Sequence, residues 1–172
     1  METFIEQMQQ YFREEKIESA IFIAIGVISI GFALYFLLSL KEKFYVGMAY
    51  PLIAIALIQI VVGSTVYFRT DNQVKNLTEQ VKTNPNQYIA EELPRMEKVN
   101  KSFDQYKIIE IVLLVIGLVL IFVFRQSNPT WFGVGVGLTI QSLLMLGADL
   151  VAENRADVYT KQIQELASKF KK

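Results

Sequence analysis

Residues 19–40, Ser-Ala-Ile-Phe-Ile-Ala-Ile-Gly-Val-Ile-Ser-Ile-Gly-Phe-Ala-Leu-Tyr-Phe-Leu-Leu-Ser-Leu, run for 22 positions without a charge. A helix rising about 1.5 Å per residue needs about 20 such residues to cross roughly 30 Å of hydrocarbon. Phe44 to Phe68 is a second uncharged run, of 25 residues. Ile108 to Phe124 is interrupted only by Glu110, and Trp131 to Ala152 only by Asp149. The pattern predicts an all-α integral membrane protein with transmembrane helices near 17–40, 45–68, 107–125 and 131–152. The first run follows an acidic, Gln-rich segment and is too long for the apolar core of a cleavable leader, so it is expected to stay in the protein.

Composition agrees. The 172 residues are 52% hydrophobic and 20% charged, with 17 Lys plus Arg against 17 Asp plus Glu. There is no Cys and no His. Thiolate nucleophiles, disulfides, imidazole bases and the usual zinc, haem or iron–sulfur ligand sets are therefore excluded. A balanced charge argues against nucleic acid as a partner. The expectation is a protein without cofactors that is not an enzyme.

The flanking bases set the expected orientation. Fourteen Lys and Arg lie in the N-terminal segment, the middle segment and the tail, against only Lys41, Lys43 and Arg125 in the two short connections. By the positive-inside tendency both termini and the middle segment are expected in the cytoplasm, most readily at a bacterial inner membrane. The domains expected are a cytoplasmic amphipathic helix (1–16), a first hairpin (17–68), a cytoplasmic helical segment (69–106), a second hairpin (107–152) and a cytoplasmic C-terminal helix (153–172). Asn76-Leu77-Thr78 matches a glycosylation sequon, idle on that side.

The cytoplasmic parts carry apolar stripes at helical spacing. They are Phe4, Ile5, Met8, Tyr11 and Phe12; Val74, Leu77 and Val81; Ile89, Leu93, Met96, Val99 and Phe103; and Tyr159, Ile163, Leu166 and Phe170. Asn84-Pro85-Asn86 reads as a turn between the middle stripes.

A weak internal repeat adds a candidate parallel duplication. Phe12, Lys16, Ile17, Ile25 and Gly26 recur as Phe103, Lys107, Ile108, Ile116 and Gly117, and Gly47, Arg69, Asp71, Lys75 and Glu79 recur as Gly133, Arg155, Asp157, Lys161 and Glu165. The offset falls from 91 to 86 between the two sets, which predicts a connection five residues shorter in the second unit.

Four polar residues inside the spans are the candidate site. Glu110 and Asp149 fall at similar depth near the cytoplasmic ends of adjacent helices. Acids there either form a proton or cation site, with Lys107 and Arg155 setting their charge, or cap the interface by pairing with those same bases. Gln59 and Gln141 lie near the middle of their spans, where amides hydrogen-bond across helix pairs. Gly133, Gly137, Ala20, Ala24, Ser29 and Ala33 favour close helix packing. Arg69, Asp71, Lys75 and Glu79 have the spacing of an ion-pair ladder along one helix. Lys169, Lys171 and Lys172 could touch anionic lipid, but the inner face carries 16 acids against 14 bases, which argues against a strong lipid-sensing role.

The first span has no acid between Glu18 and Lys41, unlike the small four-helix multidrug transporters, which carry one deep in that span. The expected function is association with a membrane or cytoplasmic protein partner, for instance as a bacterial immunity or regulatory protein against a membrane-inserting toxin. The alternative is a small oligomeric ion or proton channel or transporter using Glu110 and Asp149. Its partners are then the lipid bilayer, that protein and, as a homo-oligomer, its own copies.

Overall fold

The computed structural model describes residues 1–170, and every element in it is helical. Helix α1 (Glu2–Tyr35) runs into a π-helical turn (Phe36–Leu40), and α2 (Lys43–Thr83), α3 (Pro85–Phe124) and α4 (Pro129–Phe170) follow. All four are long and apolar enough to cross a membrane. They are much longer than a bilayer requires, since α2 alone has 41 residues and so reaches about 60 Å. Each helix therefore continues without a break from its apolar stretch into an amphipathic one.

Short connections fix the course of the chain. At the end away from the termini, Lys41 and Glu42 join α1 to α2, and Lys41 takes a left-handed conformation (φ 56°) as its N–H closes onto the Phe36 carbonyl at 3.0 Å. Arg125–Asn128 joins α3 to α4, with the Asn128 side chain accepting from the Thr130 and Trp131 N–H groups. The second connection is thus not the shorter one. The helices carry the difference: α1 and its π turn extend 24 residues beyond Lys16 and α3 extends 17 beyond Lys107, an excess of seven that the second connection, longer by two, reduces to five. Between α2 and α3 a single residue, Asn84, leaves the helix. Its side chain accepts from the Gln87 N–H at 3.2 Å, and Pro85 starts α3 where no N–H is needed.

The main core lies beside the termini, outside the apolar stretches. Phe4, Ile5, Met8, Tyr11 and Phe12 of α1 pack against Val81 of α2, Tyr88 and Met96 of α3, and Tyr159, Ile163 and Leu166 of α4. The remaining stripe residues Val74, Leu77, Ile89, Leu93, Val99 and Phe103 surround them. Phe170 is exposed. Each large side chain fully removed from water in this head contributes about 1.5–3 kcal/mol. The ring of Tyr159 stacks on Tyr11 at 4.3 Å and meets Phe12 edge-on at 5.8 Å. Burial pushes the hydroxyl pKa of Tyr11, Tyr88 and Tyr159 well above the ordinary tyrosine range, so all three act as neutral hydrogen-bonding groups.

Among the apolar stretches, α2 and α4 form the central pair, α1 rests mainly on α2, and α3 on α4. The α2–α4 crossing is glycine-tight and reciprocal at the loop end: Gly47 lies against the Thr130 backbone and Gly133 against that of Phe44. Gly137 extends this contact onto Met48 and Pro51, and Gly135 faces α3 at Gly117. Ser29 and Ala33 are buried, as packing residues should be, whereas Ala20 and Ala24 are exposed. Those two therefore do not serve the packing expected of them within this chain.

Candidate functional site

At the end of the apolar stretches nearest the head, charged side chains of all four helices converge. Glu110 of α3 is 1% exposed, and both its carboxylate oxygens are buried without a hydrogen-bond partner. The titratable group facing it is Asp149 of α4. Their pairing with Lys107 and Arg155, one of the two arrangements expected, is not what the structure has. Lys107 Nζ donates to Glu153 at 2.7 Å and approaches Asp104 at 3.7 Å, and Arg155 forms an ion pair with Glu18 of α1. Both bases are committed to other acids, which leaves the two carboxyls of the apolar stretches facing each other.

The Arg69 set is also corrected. Instead of a ladder along α2, it reaches across to α1: Arg69 lies 3.7 Å from Glu15, and Asp71 accepts from Lys16 at 2.6 and 2.7 Å. Lys75 and Glu79 make no ion pair among the described residues. Helical spacing favours i,i+4 partners, and nothing in a single sequence says that a neighbouring helix offers closer ones. Glu15 and Glu18 were missed for the same reason, although their place just before the first uncharged run was a usable signal.

Part of this charged cluster, without Glu110, borders a cavity of about 150 Å³ where the four helices meet. Glu15 and Glu18 of α1, Asp149 and Arg155 of α4 and Phe103 of α3 line it together with Gly63 of α2, which also packs closely on Ser19 and Ile23 of α1. Burial raises the Glu15 carboxyl pKa, opposed by the positive charges of Arg69, Arg95 and Arg155 and by the Thr70 hydroxyl. No group of three or more acids able to hold a metal ion occurs among the described residues.

The two amides meet between α2 and α4. Gln59 Nε2 donates to Gln141 Oε1 at 3.4 Å, and Gln141 Nε2 donates to Ser29 Oγ at 2.9 Å, so the chain of bonds ties α2, α4 and α1. Both glutamines are fully buried. Gln59 Oε1 and Ser142 Oγ have no partner.

A separate network orders the head. Arg95 donates to both oxygens of buried Glu92 at 2.6 Å, Tyr159 Oη donates to the same carboxylate at 3.2 Å, and the Tyr88 and Tyr159 hydroxyls share a 2.7 Å hydrogen bond. Burial works against the Arg95 charge, but the Glu92 bonds outweigh it and raise the guanidinium pKa.

The chain matches no protein-family model, no curated protein and no solved structure.

Proposed function

We propose that the chain is a non-enzymatic, multi-pass protein of a cell membrane, with its termini and head on the cytoplasmic side, that works by associating with another membrane protein. The observation that carries this reading is an imbalance of burial. The amphipathic stripes of the head are spent on one another, while the most apolar stretches of α1 and α3 are only 17% and 11% buried, against 44% in α2. A partner is thus met along the outer faces of α1 and α3, within the bilayer. Small size and the predominance of packing residues suit a regulatory or immunity protein that intercepts a membrane-inserted toxin. A photo-crosslinking side chain at Val27 or Val119, both exposed, tests this in native membranes. A discrete protein adduct from these positions, absent from buried Met96, is expected. Adducts with lipid alone would contradict the reading.

We read the architecture as two transmembrane hairpins arising by tandem duplication. Three pairs of contacts support it. Gly47 on Thr130 mirrors Gly133 on Phe44. Lys16 over the Tyr67 ring mirrors Lys107 on Glu153. The Ser19–Gly63 contact falls where the second half places Glu110 and Asp149.

That last substitution favours a second reading, a proton or cation path through the paired acids. Glu110 is buried without a hydrogen bond, a costly arrangement that a purely structural position has little cause to keep. Proton flux into liposomes that is lost in Glu110→Gln and Asp149→Asn would move the protein to the transporter class. Equal flux in the wild type and both variants, or none, removes this reading.

A further inference from the structure

A groove of about 450 Å³ runs between α1 and α2 on the outside of the helices, at the boundary between the head and the apolar stretches. Its walls are Ile17, Ile21 and Tyr67, its floor is opened by the exposed Ala20 and Ala24, and Arg13 and Lys16 stand at the head end. From Ile17 to Ala24 the groove follows α1 for about 10 Å. Lys16 is fixed at its mouth by two bonds to Asp71 and by the Tyr67 ring, 4.8 Å from its ammonium. Arg13 is exposed and makes no ion pair among the described residues. It is therefore a free positive charge beside an ammonium whose partner, Asp71, is 73% exposed.

We infer that this groove binds an anionic phospholipid, the phosphate held chiefly by the unpaired Arg13, with Lys16 staying bonded to Asp71 and offering only its remaining N–H, and the upper part of one acyl chain laid over Ala20 and Ala24. The charge order matches that occupant. Cations stand where the headgroup layer meets the head, and the surface toward the apolar stretch is aliphatic. Larger residues at positions 20 and 24 would fill the track, which gives these two alanines the role that packing within the chain does not. The inference uses the membrane placement proposed above but requires no protein partner.

Native mass spectrometry of the full chain from detergent, titrated with phosphatidylglycerol or phosphatidylcholine, tests it. Selective binding of phosphatidylglycerol is expected, weakened about fivefold by Arg13→Gln. Ala24→Leu, which leaves every charge in place, should weaken it to a similar extent, and Arg125→Gln at the opposite end should leave it unchanged. Arg13 is exposed, so its substitution reports on binding even if the leucine variant fails to fold. Equal binding of the two lipids, or wild-type binding by Arg13→Gln, overturns the inference. Binding of soluble glycerol 3-phosphate as tight as that of the lipid, and insensitive to Ala24→Leu, also overturns it by reducing the site to a surface phosphate contact.

Discussion

Gly47 and Gly133 hold α2 and α4 together reciprocally: a Cβ on either one would collide with backbone of the opposite helix, at Thr130 and at Phe44. No side-chain rearrangement relieves such a clash, because the obstructing atoms are main chain. Gly47→Ala and Gly133→Ala should each cost about 1–3 kcal/mol, as overpacking does in tight cores. Gly31 and Gly147 have nothing within 4 Å of the added methyl. Gly31→Ala and Gly147→Ala should leave thermal unfolding in detergent unchanged or slightly improved, and a similar loss in all four variants would contradict the packing described.

The head depends on a buried charge. Glu92 is 2% exposed, with both of its oxygens bonded by Arg95 and one also by the Tyr159 hydroxyl. Arg95→Leu leaves that buried charge with the Tyr159 hydroxyl alone and should cost about 3 kcal/mol. Adding Glu92→Gln should recover much of the loss, since the uncompensated charge then disappears. A double variant no more stable than Arg95→Leu alone would show that lost packing, not charge, dominates.

Glu15 gives the head a dependence on pH. Burial raises its carboxyl pKa above the ordinary 4.5, beyond what Arg69, Arg95 and Arg155 offset. The folded state thus holds this proton more tightly than the unfolded one. Its contribution to stability is fully present below about pH 4.5 and is lost as pH rises through the raised value. Glu15→Gln should accordingly unfold at a higher temperature than the wild type at pH 8, with the gap closing toward pH 4. A gap that widens on acidification would reverse the sign.

Lys41 bears the only positive φ among the described residues, 56°, at the turn that ends the π-helical segment. The left-handed region costs a side chain roughly 1 kcal/mol that glycine escapes. Lys41→Gly should therefore stabilise the protein by about 0.5–1 kcal/mol, read as a rise in unfolding temperature, without altering the α1–α2 contacts.

The four long helices and the head stripes were legible because both are written in the pattern of the sequence: uncharged runs mark the apolar stretches, and Met8, Met96 and Ile163 fall on apolar stripes at helical spacing. Asn84 was legible as a turn through Asn-Pro chemistry. The charged partners were not. Arg155 with Glu18 and Lys16 with Asp71 are chosen by which helices become neighbours, information that spacing along one helix does not contain. The groove at Ala20 and Ala24 was hidden for a related reason, since small residues read alike whether a helix or a lipid covers them. Lys171 and Lys172 lie outside the described residues.

The central claim, that the head and both termini occupy the cytoplasmic side of a membrane, is open to a direct measurement because the chain has no cysteine of its own. Ser127→Cys in the α3–α4 connection and Ser102→Cys beside the head provide single thiols at opposite ends. A membrane-impermeant maleimide applied to intact cells should label position 127 at once and position 102 only after permeabilisation. Labelling of position 102 from outside intact cells would contradict the account.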